Sequence, residues 1–301
     1  MSHRPIIGLA LGSGSARGWA HIGAIRALAE LGITPRIVCG TSIGALVGAA
    51  YAAGRLERLE AWVCSLKLQG VVSFFDFSLN GGMLKGARLM EFFRTHFEDR
   101  PIEALDLPYG AVATDLASGR EVWLREGSLL DAVRASIALP GLFTPVLRAG
   151  RWLVDGGLVN PVPVTLARAL GAEVVIAVDL NTFLIGRHLR KREPAGNRPA
   201  ADSLTAALMQ RLQALPLPWR EADEGGETPP SLFDTLATSL NIMQVQISRS
   251  RLAGEPPDVL ITPRVAHLGL LEFHRAREAI AEGRRAVHSA LPQLRALELL
   301  A

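Results

Sequence analysis

Along the first half of the chain, short unbroken apolar runs alternate with stretches in which apolar residues recur at helical spacing. Ile6 to Leu11 is such a run, and it breaks at Gly12-Ser13-Gly14, which predicts a buried strand ending in a turn. Ile22, Ile25, Leu28 and Ala29 then mark one face of a helix, and Ile37-Val38-Cys39 predicts a second strand. Strand, helix, strand implies a parallel sheet, because the crossover helix must pack back on the strands it joins. Helical patterns follow at Arg55 to Leu68 and Ala87 to Phe97. Tyr109 to Thr114 and Glu121 to Leu124 read as paired strands. Ser128 to Ala138 predicts a helix stopped by Leu139-Pro140-Gly141, since proline restricts its predecessor and cannot extend the ladder. Val146-Leu147 and Trp152-Leu153 flank Ala149-Gly150 as a hairpin; beyond Asp155-Gly156-Gly157, Val164 to Leu170 predicts a helix and Val174 to Val178 a strand.

The character changes between Gly186 and Pro230, where a basic cluster, a short helical patch, an acidic run and several prolines succeed one another. This reads as a mobile insertion at 186–230 in one domain spanning 1–301. Leu232, Leu236, Leu240, Met243 and Ile247 then recur at steps of four and three, which puts them on one face of a predicted helix. Asp258 to Ile261 completes the strands and Glu272 to Leu291 is a closing helix. The expected fold is α/β: a central, mostly parallel sheet flanked by helices.

Composition narrows the function classes. With 301 residues, 49% hydrophobic and 20% charged, the chain has the make-up of a globular domain, and disordered or disulfide-stapled scaffolds are excluded. The net charge of +3 is a mild excess of 32 basic over 29 acidic residues without a basic stripe, so nucleic acid is not an expected partner. Cys39 and Cys64 are the only cysteines and show no ligand spacing; reduced thiols, no metal, no cofactor and a cytoplasmic location are expected. The uncharged stretch from Ile37 to Gly54 approaches spanning length, but Gly40, Gly44, Gly48 and Gly54 with Thr41 and Ser42 make a poor lipid-facing helix.

Candidate chemistry centres on Gly40-Thr41-Ser42-Ile43-Gly44, between the second predicted strand and the helical run Ala45 to Ala53. A G-x-S-x-G at a strand-to-helix turn exposes the serine hydroxyl above the sheet, at a helix N-terminus that favours negative charge. The plainer alternative is a serine capping a helix. Gly12-Ser13-Gly14-Ser15-Ala16-Arg17-Gly18 is a glycine-rich anion cradle. A dinucleotide site fails because the second strand ends in Cys39-Gly40 rather than an acid, and a P-loop fails because no Gly-Lys-Ser/Thr follows. An oxyanion hole beside a nucleophile remains. For the base, the order Ser42, Asp258, His267 suits a hydrolase triad, and Asp155 in Asp155-Gly156-Gly157 competes with it; an ordinary Asx-turn explains that triplet equally well.

Taken in order, Gly12 to Gly18, the elbow at Ser42 and Asp155-Gly156-Gly157 resemble the three signature blocks of the patatin-like phospholipases, especially the bacterial branch related to neuropathy target esterase. The resemblance runs over Ile6 to Leu180 and takes in Ala135-Ser136 and Asn160-Pro161. It implies Ser42 as nucleophile and Asp155 as its partner in a Ser-Asp dyad without histidine. The oxyanion loop would be Gly12, Ser13, Gly14 and Ser15, with Arg17 fixing it and Gly18, Gly40, Gly44, Gly156 and Gly157 supporting the turns. Ser13 and Ser15 stand where the family favours glycine, and a serine at positive φ costs energy. The dyad carries a physical requirement: an aspartate near pKa ~3.9 is a poor proton acceptor, so Asp155 has to be desolvated. The implied substrates are lipid acyl esters of phospholipid or lysophospholipid type. An acyltransferase on the same dyad and a non-catalytic regulatory protein keeping the fold are the alternatives. Arg187, Arg190, Lys191 and Arg192, followed by Leu204, Leu208, Leu212, Leu215 and Trp219, suggest peripheral membrane contact through 187–219, against a lid or a solvated loop. Oligomeric state is left open.

Overall fold

The computed structural model describes residues 5–68, 91, 94–95, 99–184 and 232–299. The expected insertion at 186–230 and most of the helix expected at Ala87 to Phe97 lie outside the described residues. The strands are β1 (Ile7–Leu11), β2 (Ile37–Thr41), β3 (Tyr109–Asp115), β4 (Glu121–Leu124), β5 (Val146–Arg148), β6 (Arg151–Asp155), β7 (Val174–Val178) and β8 (Val259–Ile261). They form one sheet in the order β5-β6-β3-β2-β1-β7-β8, with β4 pairing β3. The stretch from β3 to β8 is parallel, whereas β4, β5 and β6 pair antiparallel. The central strands are apolar on both faces because both are covered. Leu9, Leu11 and Val38 face one cluster; Ala10, Cys39 and Val112 face the other.

The helices are α1 (Ala20–Glu30), α2 (Ile43–Ala52), α3 (Leu56–Ser65), α4 (Leu129–Ser136), α5 (Val164–Ala169), α6 (Leu232–Gly254), α7 (Ala276–Ser289) and α8 (Leu291–Ala296). Ser128 caps α4, its hydroxyl accepting from the Asp131 N–H at 3.0 Å. On the larger cluster α1 and α7 meet backbone to backbone: a Cβ on Gly23 would stand 1.9 Å from the Ile280 carbonyl oxygen, and one on Gly283 1.9 Å from that of Ala20. Ile22, Ile25 and Leu28 are buried as expected, while Ala29 is exposed. The chain from Ile37 to Gly54 is strand, turn and helix, and no described helix is long and apolar enough to cross a membrane.

Helix α6 forms where the apolar spacing predicts it, and its apolar residues are divided between solvent and protein. Leu236 is 52% exposed, and Met243 and Ile242 are each 48% exposed. Among the described side chains of the helix, the buried ones are Gln244, Val245 and Ser248. Val245 is the buried apolar residue of this inner face and Leu252 packs on the smaller apolar cluster, while Gln244 and Ser248 turn toward polar loops and Leu236, Ile242 and Met243 point outward.

Two steps of register position the rest. Thr41 at the end of β2 lies opposite Val112 of β3, and the next residue, Ala113, lies opposite Asp155 of β6. Strands β1 and β2 are parallel neighbours, so the loops after them emerge together at the carboxyl ends where ligand sites form.

Candidate active site

Ser42 stands between β2 and α2 with φ 58° and ψ −124°. A side chain in this region costs on the order of 1–3 kcal/mol and persists only where the surroundings enforce it. They do so here: the Ser42 N–H donates to Ser136 Oγ at 2.8 Å, and Ser136 Oγ donates to the Val112 carbonyl at 2.6 Å. Thr41 Oγ1 donates to the Asn160 carbonyl at 2.8 Å. Gly44 brings α2 against the preceding loop, since a Cβ there would lie 2.2 Å from the Leu11 carbonyl oxygen. Gly40 packs on Gly44, and Gly18 on Ile43.

Ser42 Oγ donates to Asp155 Oδ2 at 2.5 Å, across 113 residues of chain. The other carboxylate oxygen, Oδ1, accepts the Gly157 N–H at 2.7 Å. Both readings of the Asp-Gly-Gly triplet therefore hold: one oxygen closes an Asx-turn and the other faces the serine. Asp155 is 1% exposed, and burial pushes its pKa up to about 6 against the opposing hydrogen bonds from Ser42 and Gly157. Gly156 packs on the Val112 backbone and holds the turn against β3.

The loop after β1 divides by its hydrogen bonds. The Gly12 N–H donates to the Val178 carbonyl at 3.0 Å and the Ser13 N–H to that of Pro161 at 2.8 Å, so those two amides fasten the loop. The N–H groups of Gly14 and Ser15 have no acceptor among the described residues. Of the four amides expected to serve as anion donors, these two are the ones without a partner among the described residues. Ser15 takes φ 52°, held by its hydroxyl donating to the Leu270 carbonyl at 2.6 Å and by the Ala16 N–H donating to the same oxygen at 3.1 Å. Arg17 is 2% exposed; its Nε donates to the Gly14 carbonyl at 3.2 Å and its Nη2 to Asn241 Oδ1 at 3.1 Å. Burial pushes its pKa down to about 10, which leaves it charged at neutral pH. The Gly14 carbonyl and the Ser15 N–H belong to one peptide unit, so a cation on the oxygen polarises the N–H toward an anion.

The Ser42, Asp258, His267 arrangement does not assemble. Asp258 Oδ2 accepts the Val175 N–H at 2.7 Å, and His267 Nε2 bonds Glu278 at 2.6 Å. Among the described residues no histidine hydrogen-bonds Ser42. His21, fully buried with its pKa pushed down to about 4, is neutral and donates from Nε2 to the Gly12 carbonyl at 2.7 Å, bracing the loop. No cluster suited to a metal occurs among the described residues.

Sequence reasoning missed the brace on Ser13. Asn181 Nδ2 donates to Ser13 Oγ at 3.3 Å, and Ser13 Oγ donates to Gln244 Oε1 at 3.4 Å. A signal existed in the polar stripe Asn241, Gln244, Ser248 and Arg251 on α6, at steps of three and four.

A family model described as Patatin-like phospholipase matches residues 9–168. An uncharacterized NTE family protein of Mycobacterium tuberculosis is 36% identical over 96% of this chain and 92% of its own length. The chain belongs to the patatin-like phospholipase family. Mouse patatin-like phospholipase domain-containing protein 7 is 38% identical over 58% of this chain and 14% of that protein. The crystal structure of VipD from Legionella pneumophila aligns over 96% of this chain and 68% of that one, with 15% identity and a TM-score of 0.45. At the level of the patatin-like family the activity is lipid hydrolysis. The family match ends before α6, so the helix that covers both site loops lies beyond it.

Proposed function

We propose that this chain is a serine esterase that cleaves lipid acyl esters of the phospholipid or lysophospholipid type, with Ser42 as nucleophile and Asp155 as base. The observation that carries the reading is the 2.5 Å bond from Ser42 Oγ to a carboxylate stripped of solvent, whose raised pKa fits a proton acceptor. As Oγ attacks the ester carbonyl, its proton passes to Asp155 and the carbonyl oxygen becomes an anion. That anion meets the N–H groups of Gly14 and Ser15, each donor typically worth about 3 kcal/mol in the transition state. Collapse expels the alcohol, which takes the proton from Asp155 and leaves an acyl-Ser42 ester. Water then gives a proton to Asp155 and attacks the acyl carbon; collapse returns that proton to Ser42 and releases the acid.

The same intermediate serves an acyltransferase if an alcohol replaces water. Hydrolysis assays on lysophospholipid and phospholipid vesicles, with products analysed with and without an added acceptor alcohol, test the reading. Free fatty acid as the main product is expected in both cases, and none from Ser42→Ala. Fatty acid release by Ser42→Ala at the wild-type rate overturns the nucleophile, and acyl transfer as the dominant product overturns the hydrolase. The membrane contact expected through 187–219 falls outside the described residues; vesicle flotation with and without that segment tests it, and equal binding removes its role.

A further inference from the structure

Helix α6 presents the polar residues Asn241 and Gln244 at the place where the two site loops meet. Asn241 accepts from Arg17, and Gln244 accepts from Ser13. Gln244 Nε2 also fills the space beside Gly157, lying 2.6 Å from where a Cβ on that residue would stand. One amide side chain thus touches the anion cradle and the acid turn at once. Two turns on, Arg251 pairs with Glu121 at 3.2 Å, and Glu121 accepts from Asn160 Nδ2 at 2.8 Å, whose carbonyl holds Thr41. The helix therefore latches the cradle, the acid turn and the end of β2.

The chemistry of the latch is as telling as its position. Arg17 is a buried guanidinium with neutral acceptors on both of its contacts, a carbonyl and an amide, and no carboxylate pairs with it among the described residues. A buried cation ordinarily recruits a carboxylate, since an isolated buried charge is costly. Leaving it uncompensated makes sense where a negative charge forms only during the reaction.

We propose that Asn241 and Gln244 are positioning residues of the oxyanion loop, and that Asn241 holds Arg17 with a neutral amide so that its charge stays available to the oxyanion. The inference rests on the esterase reading. A purely structural latch and an electrostatic one differ in what a carboxylate does. Asn241→Asp keeps an acceptor at the same place and strengthens the bond to Arg17, but neutralises the guanidinium.

The experiment measures kcat, KM and thermal midpoint for wild type, Asn241→Asp, Asn241→Ser and Gln244→Ala on a soluble aryl ester, with fluorophosphonate labelling of Ser42 alongside. The expected result is kcat lowered about 100-fold in Asn241→Asp, a loss the size of one removed oxyanion donor. Its KM is unchanged and its thermal midpoint is equal or higher. Asn241→Ser, neutral but shorter, loses about tenfold, less than the cost of that donor. Gln244→Ala loses kcat rather than KM. The order Asn, Ser, Asp in kcat supports the inference; Asp retaining wild-type kcat, or ranking above Ser, overturns it. If Asn241→Asp does not fold, the Ser variant decides: a KM change without a kcat change overturns the inference. A wild type that neither labels nor turns over ends the esterase reading and this one with it, whereas labelling at Ser42 with an unaffected Asp variant ends this one alone.

Discussion

From Ile6 to Ala52 most apolar side chains point into the sheet-helix core, and Ser13, Ser15 and Ser42 sit in the turns after the strands. Along α6 the arrangement is mixed, with polar as well as apolar side chains turned inward. Leu236, Ile242 and Met243 face outward, whereas Asn241 and Gln244 reach Arg17 and Ser13 across the site, and Ser248 is buried beside Gln244 and Val245. The first region builds the site from below, where packing against apolar core dictates each position. The second closes it from above, where its neighbours are carbonyls, a guanidinium and a carboxylate turn. Hydrophobic periodicity finds the face of a helix that is apolar, and only when the partner surface is apolar too is that the buried face.

The comparison breaks most visibly at the chemistry. Ser42→Ala and Asp155→Asn should each lower kcat by at least about 1000-fold in an ester hydrolysis assay while keeping the circular dichroism of the wild type. Asp155→Asn carries a second signature. The folded pKa of Asp155, about 6, lies above the unfolded value of about 3.9, so the native state holds the proton more tightly. Its contribution to stability is full below the unfolded value and is lost as pH rises through about 6. Removing the charge should therefore raise the thermal midpoint by a few degrees at pH 8, with little gain at pH 4. A midpoint at pH 8 lowered by the substitution would count against a desolvated carboxylate.

Next in size is a test on α6 itself. Val245 is 1% exposed, and Val245→Asp places an unpaired charge in a closed environment, costing about 3 kcal/mol or more in a denaturant titration. The same change at Met243, on the outward face, should stay within about 0.5 kcal/mol. Equal losses at both positions would mean that the helix does not sit as described. Smaller again is the pH response of the intact enzyme. Below about 6 the carboxyl is protonated and cannot take the serine proton, so kcat/KM should fall tenfold per unit there and run flat above. A second acid limb near 6.5 that persists in Asp155→Asn would point to a histidine.

Much of the fold was legible because its strands are short apolar runs bounded by glycine and its helices carry one apolar face, as with β1, β2 and α4. The elbow was legible for a related reason: a serine between glycines after such a run has few other uses. What linked Ser42 to Asp155 was less accessible. The bond depends on the pairing of β2 with β3 and of β3 with β6, and nothing local in Asp155-Gly156-Gly157 reveals which strand it adjoins. The division of labour in the anion cradle was hidden as well, because Gly12 and Ser13 give up their amides to Val178 and Pro161, partners more than a hundred residues away. Asn241 and Gln244 were obscured by the apolar residues beside them, whose spacing drew attention to the other face of the helix.

The most direct measurement is fluorophosphonate labelling of wild type and Asp155→Asn, followed by intact mass and peptide mapping, with rates taken from pH 4 to pH 9. The account predicts one adduct, on Ser42, with a labelling rate that rises through pH about 6 in the wild type and is nearly abolished in the variant. An adduct on another residue, or a variant that labels as fast as wild type, would contradict it.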